Sequence, residues 1–193
     1  MKQKIAIFLS GSGSNARALC HYFDRHPAVE VALLLSNKSD SGAKSIGEAF
    51  GIPVFIFNRT QFYQENTVLE QLEQHGIDAI ALAGFLWLIP EYLLERYPDK
   101  IINIHPALLP KYGGKGMHGM HVHEAVWQHR EKESGITIHL CNKEYDKGRI
   151  LLQEKVALSE ADTPSDIAKK VLSLEHQHYA RVIEGYLTRD AGC

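Results

Sequence analysis

The stretch Ile101–Gly114 reads I-I-N-I-H-P-A-L-L-P-K-Y-G-G, and its first half decides the fold. Ile101, Ile102 and Ile104 are β-branched and suit a buried strand, and Pro106 ends the run because it cannot donate to a ladder. Asn103 and His105 stand two residues apart, so their side chains leave the strand on one face. An amide there can hydrogen-bond a carbonyl oxygen that is gaining negative charge, and an imidazole can move protons near neutral pH. The plainer alternative is an Asn and a His that only close the strand through backbone hydrogen bonds.

Working outward from that strand, the chain alternates strand and helix signals. Upstream, Ile5–Leu9, Val29–Leu35, Val54–Phe57 and Ala79–Ala83 read as strands. Between them, Asn15 to Arg25, Ala43–Phe50, Gln61–His75 and Glu91–Tyr97 carry helical periodicity. Such alternation predicts βαβ units, hence a parallel sheet with helices on both faces. Downstream the rhythm changes. Residues 110–120 are glycine-rich and basic and predict a loop, and Val122–His129 predicts a short helix. Gly135–Leu140 and Ile150–Val156 predict two strands that pair antiparallel at the sheet edge. Thr163 as N-cap, Pro164 at the first helical position and Asp166 near the positive dipole end open a last helix, expected to reach Leu187. The expected architecture is a single α/β domain over 1–193, Rossmann-like, with a mostly parallel twisted sheet, an antiparallel edge and a tail at 188–193.

Composition narrows the class. The 193 residues are 45% hydrophobic, which suits one soluble domain with a sizeable core. A formal net charge of −2 leaves no basic footprint for nucleic acid. The three cysteines, Cys20, Cys141 and Cys193, are scattered without C-x-x-C spacing, as in a reducing compartment without structural zinc. The apolar run at Ile5–Leu9 is too short for a signal peptide or membrane span, so the expected location is the cytoplasm.

Four further stretches carry candidate chemistry. G-S-G-S-N-A at Gly11–Ala16 joins the first strand to the first helix, where glycines admit a phosphate to free helix N-terminal amides. The place for a ribose-binding acid after the second strand reads S-N-K, Ser36–Lys38, which favours a single phosphate over a dinucleotide. The run A-G-F-L-W-L-I-P at Ala83–Pro90 leaves the fourth strand on the same edge and can line an apolar slot for a flat heterocycle. Burial against a helix is the competing account for Phe85 and Leu88. E-Y-D-K-G at Glu144–Gly148 supplies Asp146; a carboxylate near His105 would raise the histidine's pKa, whereas a solvated turn is the default for D-K-G. His118, His121 and His123 suggest a metal by number, but their spacing favours loop or cap histidines, and no metal is expected.

With these residues in view the chain resembles the folate-dependent formyltransferases over roughly residues 4 to 187. The resemblance rests on S-G-S-G-S-N, S-N-K, L-A-G-F at Leu82–Phe85 and N-I-H-P-A-L-L-P-K-Y at Asn103–Tyr112. It continues in G-I-T-I-H at Gly135–His139, Y-D-K-G at Tyr145–Gly148 and L-E-H at Leu174–His176. It implies transfer of the formyl group of 10-formyltetrahydrofolate, the co-substrate, to the amine of glycinamide ribonucleotide in purine synthesis. Residue by residue, Gly13, Ser14 and Asn15 match the phosphate-holding positions, and Glu175 matches a carboxylate near the substrate amine. Leu86, Trp87, Leu88 and Ile89, with Asn142, Lys143, Glu144, Tyr145 and Asp146, match the folate-pocket segments. Asn103, His105 and Asp146 match the catalytic trio, and Asn103 also faces the folate. Two departures stand out: Trp87 sits where many members carry arginine, and the loop K-Y-G-G-K-G-M-H-G is longer than the common form. The partners implied are small-molecule substrates only, with neither nucleic acid nor membrane, and a monomer or weak homodimer. Relatives acting on tRNA or hydrolysing the folate would need further domains. A silent nucleotide-binding module is the reading from a different class.

Overall fold

β1 (Gln3–Leu9) runs through the sheet interior, and its alternating side chains divide the core in two. Ile5, Ile7 and Leu9 point into one apolar cluster, and Ala6 and Phe8 into the other. Being buried on both faces is why this strand reads as a continuous apolar run. The computed structural model describes residues 2–189. The other strands are β2 (Val29–Ser36), β3 (Val54–Ile56), β4 (Ala79–Leu82), β5 (Ile101–His105), β6 (Glu133–Leu140) and β7 (Ile150–Ala157). They form one sheet in the order β3-β2-β1-β4-β5-β6-β7. β1 to β5 are mutually parallel, while β6 pairs antiparallel with β5 and β7 antiparallel with β6. The mostly parallel sheet with an antiparallel edge is thus the expected one.

The helices are α1 (Ser14–Phe23), α2 (Ala43–Phe50), α3 (Arg59–Tyr63), α4 (Thr67–Gln74), α5 (Glu91–Arg96), α6 (Met120–Gln128) and α7 (Pro164–Arg189). Buried residues of α1, α2, α6 and α7 join the cluster beneath Ile5 and Ile7. Phe62, Val68, Leu72 and Leu93 of α3, α4 and α5 join Phe8 on the other face. One expectation is corrected: Gln61–His75 is two helices. Asn58 and Gln61 form a reciprocal capping box that starts α3 at Arg59, and the helix breaks at Gln64 before α4 begins at Thr67. α7 continues to Arg189, past the expected end at Leu187, and the rest of the expected tail, 190–193, lies outside the described residues. Among the described residues no helix is long and apolar enough to cross a membrane.

Strand order reverses between β1 and β4, so their carboxyl ends open a crevice where connections depart to either side. Tyr179, fully buried on α7, joins β4 and β5 close by: its hydroxyl lies 3.0 Å from the Leu82 carbonyl and 2.9 Å from that of Ile102.

Candidate active site

A cavity of about 770 Å³ opens at that crevice. Its lining includes Ser14 and Asn15 from the glycine turn, all of Leu86 to Ile89, and Asn103 and His105 from β5. Asn142, Glu144, Tyr145 and Asp146 from the β6–β7 connection and Glu175 from α7 complete the expected set. Two expected residues lie elsewhere. Gly13 is not itself among the lining residues, though Ser12 and Ser14 on either side of it are, and Lys143 extends outward to an exposed pair with Glu91. A smaller cleft of about 500 Å³ at the opposite ends of β1 and β2 contains none of these residues.

The glycine turn has a steric origin. Gly13 takes φ 81° as the residue before α1, and a Cβ there would stand 2.7 Å from Ile46 Cδ1 and 2.8 Å from Leu9 Cδ1. No side chain caps α1, so its first amides are left to the cavity. Asn15 Nδ2 donates to Glu175 Oε2 at 2.8 Å, tying α1 to α7. Asn15 Oδ1 is buried without a partner among the described residues. Glu175 is 8% exposed, and burial pushes its carboxyl up to about 6 although the Asn15 bond opposes the shift.

The run after β4 is held by named bonds. The Ser10 hydroxyl accepts the Leu86 N–H at 3.1 Å and donates to Asn37 Oδ1 at 2.7 Å; the Tyr63 hydroxyl donates to the Leu88 carbonyl at 2.9 Å. Phe85 turns into the core beside Phe8, as the competing account of that residue had it, whereas Leu86 is exposed. Trp87 is half-buried against Phe57, Phe62 and Tyr63, and the Arg59 guanidinium lies 5.6 Å from its ring centroid.

At the centre, β5 presents Asn103 and His105, and β6 lies alongside with His139 opposite Asn103 and Thr137 opposite His105. Thr137 is fully buried: its hydroxyl donates to the Ala107 carbonyl at 2.7 Å and accepts the Leu109 N–H at 3.0 Å. Gln153 of β7 reaches the Leu109 carbonyl at 2.8 Å, so the segment after Pro106 is fixed from two strands. That fixing sets the Tyr112 carbonyl 2.7 Å from His105 Nε2, which must therefore carry a proton. The other ring nitrogen, Nδ1, lies 3.6 Å from Asp146 Oδ2. Asp146 adopts φ 54° and accepts the Gly114 N–H at 2.8 Å, so it also holds the long loop. Gly148 permits the return: a Cβ there would be 1.6 Å from the Leu140 carbonyl oxygen.

One electrostatic expectation is corrected. Burial lowers the His105 pKa below its ordinary value; Asp146 and the Tyr112 carbonyl raise it only in part, and His139 lowers it again. His105 is neutral at neutral pH, with a bare Nδ1 beside a carboxylate. For Asp146 burial acts upward, but either histidine when it is protonated, together with the Gly114 amide, acts the other way and holds the carboxyl below its ordinary value.

Sequence reasoning missed several lining residues. His139 was quoted only as part of a motif; it is 2% exposed and touches both Asn103 and Asp146. His123, assigned to a loop or cap, is buried on α6 and lines the cavity, with Nδ1 unpartnered among the described residues. Its position three residues before the buried Val126 was the available signal. His121 faces Glu124 at 3.8 Å on the surface, an acidic neighbour the sequence reading had not given it. Among the described residues no group of three or more His, Cys, Asp or Glu could hold a metal ion.

Comparison with known proteins places the chain in a family. The model of the formyl transferase family matches residues 3–183. A phosphoribosylglycinamide formyltransferase of Bacillus subtilis is 36% identical over 192 residues, covering 96% of this chain and 95% of its own length. The chloroplastic enzyme of that name from Arabidopsis thaliana is 42% identical over 190 residues, 94% of this chain. The chain spans 64% of that protein, and 60% of the 39% identical chloroplastic relative from Vigna unguiculata. Among solved structures, the phosphoribosylglycinamide formyltransferase of Bacillus halodurans superposes with a TM-score of 0.86 at 32% identity, over 97% of both chains. The fold, the strand-exit cavity and the match along nearly the whole sequence lead to one conclusion: the chain belongs to the formyl transferase family.

Proposed function

We propose that this chain transfers the formyl group of 10-formyltetrahydrofolate to the amine of glycinamide ribonucleotide; relatives named phosphoribosylglycinamide formyltransferase support that acceptor. The observation that carries the reading is the meeting of Asn103, His105 and Asp146 in one cavity, between the glycine turn and the Leu86–Ile89 slot. The phosphate sits on the amides of Gly13 to Asn15 and Glu175 faces the rest of the nucleotide. The flat folate ring occupies the slot, its edge meeting the backbone of the Asn142–Asp146 segment. The same reading makes residues 1–193 one formyltransferase domain, working as a monomer or weak homodimer in the cytoplasm, which the modest net charge and scattered cysteines favour.

In the reaction the amine attacks the formyl carbon and an oxyanion develops on the formyl oxygen. The Asn103 side-chain N–H donates to that oxyanion. Neutral His105 takes the proton of the attacking amine at Nδ1, and Asp146, 3.6 Å away, stabilises the imidazolium so formed. His105 then returns the proton, through water, to the folate nitrogen as its bond to the formyl carbon breaks. The products are the formylated ribonucleotide and tetrahydrofolate.

The test is folate release followed by absorbance with two acceptors. Glycinamide ribonucleotide should support turnover and aminoimidazole carboxamide ribonucleotide should not. Turnover with the second acceptor alone would overturn the assignment.

A further inference from the structure

His139 is a buried group in contact with the proposed reaction centre to which the mechanism gives no task. It is 2% exposed and lies opposite Asn103 in the β5–β6 register. Its Nδ1 stands 2.9 Å from the Leu140 carbonyl oxygen. A carbonyl only accepts, so Nδ1 carries the ring proton. In the neutral ring Nε2 then has only a lone pair, and the group in front of it is the Asn103 Nδ2, at 3.1 Å. Asp146 Oδ1 is 3.6 Å from the same nitrogen, beyond hydrogen-bond length, so the amide is the nearer partner.

We propose that His139 is a positioning residue: by accepting one N–H of Asn103 it fixes which way that amide faces, so that the second N–H points at the formyl oxygen. The inference rests on the role given to Asn103 above. An asparagine side chain is almost symmetrical in shape, and a half-turn about its last bond exchanges oxygen for nitrogen. In the wrong sense it would present a carbonyl to a developing oxyanion and repel it. The strand backbone cannot choose between the two senses. An imidazole whose proton is already committed to the Leu140 carbonyl can, because it offers only a lone pair on the other side. This is the logic by which outer partners orient the ligands of a metal site, applied here to an oxyanion donor.

The test is a double-mutant cycle with His139→Phe and Asn103→Ala, kcat and both KM values being measured for each. His139→Phe keeps the ring volume and removes the acceptor. Alone it should lower kcat roughly 100-fold, the effect of a misaligned reacting group, with both KM values within about threefold. In the Asn103→Ala background it should cost almost nothing more. His139→Gln, whose side-chain oxygen can stand near the position of Nε2, should recover much of the loss. Equal losses in both backgrounds, or none in either, would overturn the proposal and leave the role of Asn103 intact. A harmless Asn103→Ala would instead overturn the reading of the site, and this inference with it. Should His139→Phe fail to fold, nitrogen NMR of labelled histidine in the native protein decides. A bare Nε2 and protonated Nδ1 at neutral pH support the proposal, and a protonated Nε2 overturns it.

Discussion

Replacing Asp146 by Asn removes one charge and little else, because the amide oxygen can still accept the Gly114 N–H. The lost charge lies 3.6 Å from His105 Nδ1, and the Asp146 side chain is only 12% exposed, so solvent screens it weakly. Two unit charges about 4 Å apart interact by about 4 kcal/mol at an effective dielectric of about 20, which bounds the support given to the imidazolium. His105 already titrates below its ordinary value because burial outweighs Asp146. Without the carboxylate, burial is opposed only by the Tyr112 carbonyl, and the pKa falls further. The sign follows. The base form of His105 exists above its pKa, so the acid limb of kcat/KM should move to lower pH in Asp146→Asn. At the same time the proton taken from the amine is poorly held, and kcat should drop by about 10² to 10⁴, the range for general acid–base groups. The assay is folate release over a pH series, with both KM values recorded. An acid limb at the wild-type pH with kcat within a few-fold of wild type would refute the argument. Asp146 would then serve only to hold the loop at Gly114.

Leu88→Asp should raise the folate KM at least tenfold while the ribonucleotide KM stays within about threefold, since a charge would face a flat apolar ring; unchanged values in a folded protein would make the run mere core. Glu175→Gln tests a pH-dependent stability. The folded-state pKa of about 6 lies above the ordinary 4.5, so the favourable contribution is complete below 4.5 and lost as pH rises through 6. At 1.36 kcal/mol per unit, the variant should be more stable than wild type by about 2 kcal/mol at neutral pH and equal to it near pH 4, by denaturant titration; a constant difference across pH would refute the assignment. Tyr179→Phe strips the hydroxyl from two buried carbonyls and should cost about 1–3 kcal/mol with kcat little changed; a neutral effect on stability would show that neither carbonyl depends on it.

Much of this was legible in the sequence because parallel strands buried on both faces show as apolar runs. Ile5–Leu9 and Ile101–His105 announced themselves that way, and the two-residue spacing of Asn103 and His105 placed both on one face. The split of α3 from α4 was written in Asn58 and Gln61, a capping box hidden by the periodic run that follows it. What was not legible depends on pairing across the fold. That His139 faces Asn103, and Thr137 faces His105, follows from the antiparallel register of β5 and β6, which no local pattern states. The direction of the His105 shift failed for a related reason. A nearby carboxylate was read from motif, but the depth of burial that outweighs it is a property of the assembled site. Trp87 is held within the aromatic group of Phe57, Phe62 and Tyr63, and that company likewise comes from α3 folding over the β4 exit.

The most direct measurement of the central claim follows the formyl group itself. The purified protein is given 10-formyltetrahydrofolate labelled in the formyl carbon, together with glycinamide ribonucleotide, and the label is traced. The account predicts that it appears on the ribonucleotide in step with tetrahydrofolate release, and that Asn103→Ala and His105→Asn each slow this strongly. Label released as free formate would mean a hydrolase, and label that stays on the folate would mean a silent nucleotide-binding module; either result would contradict the account.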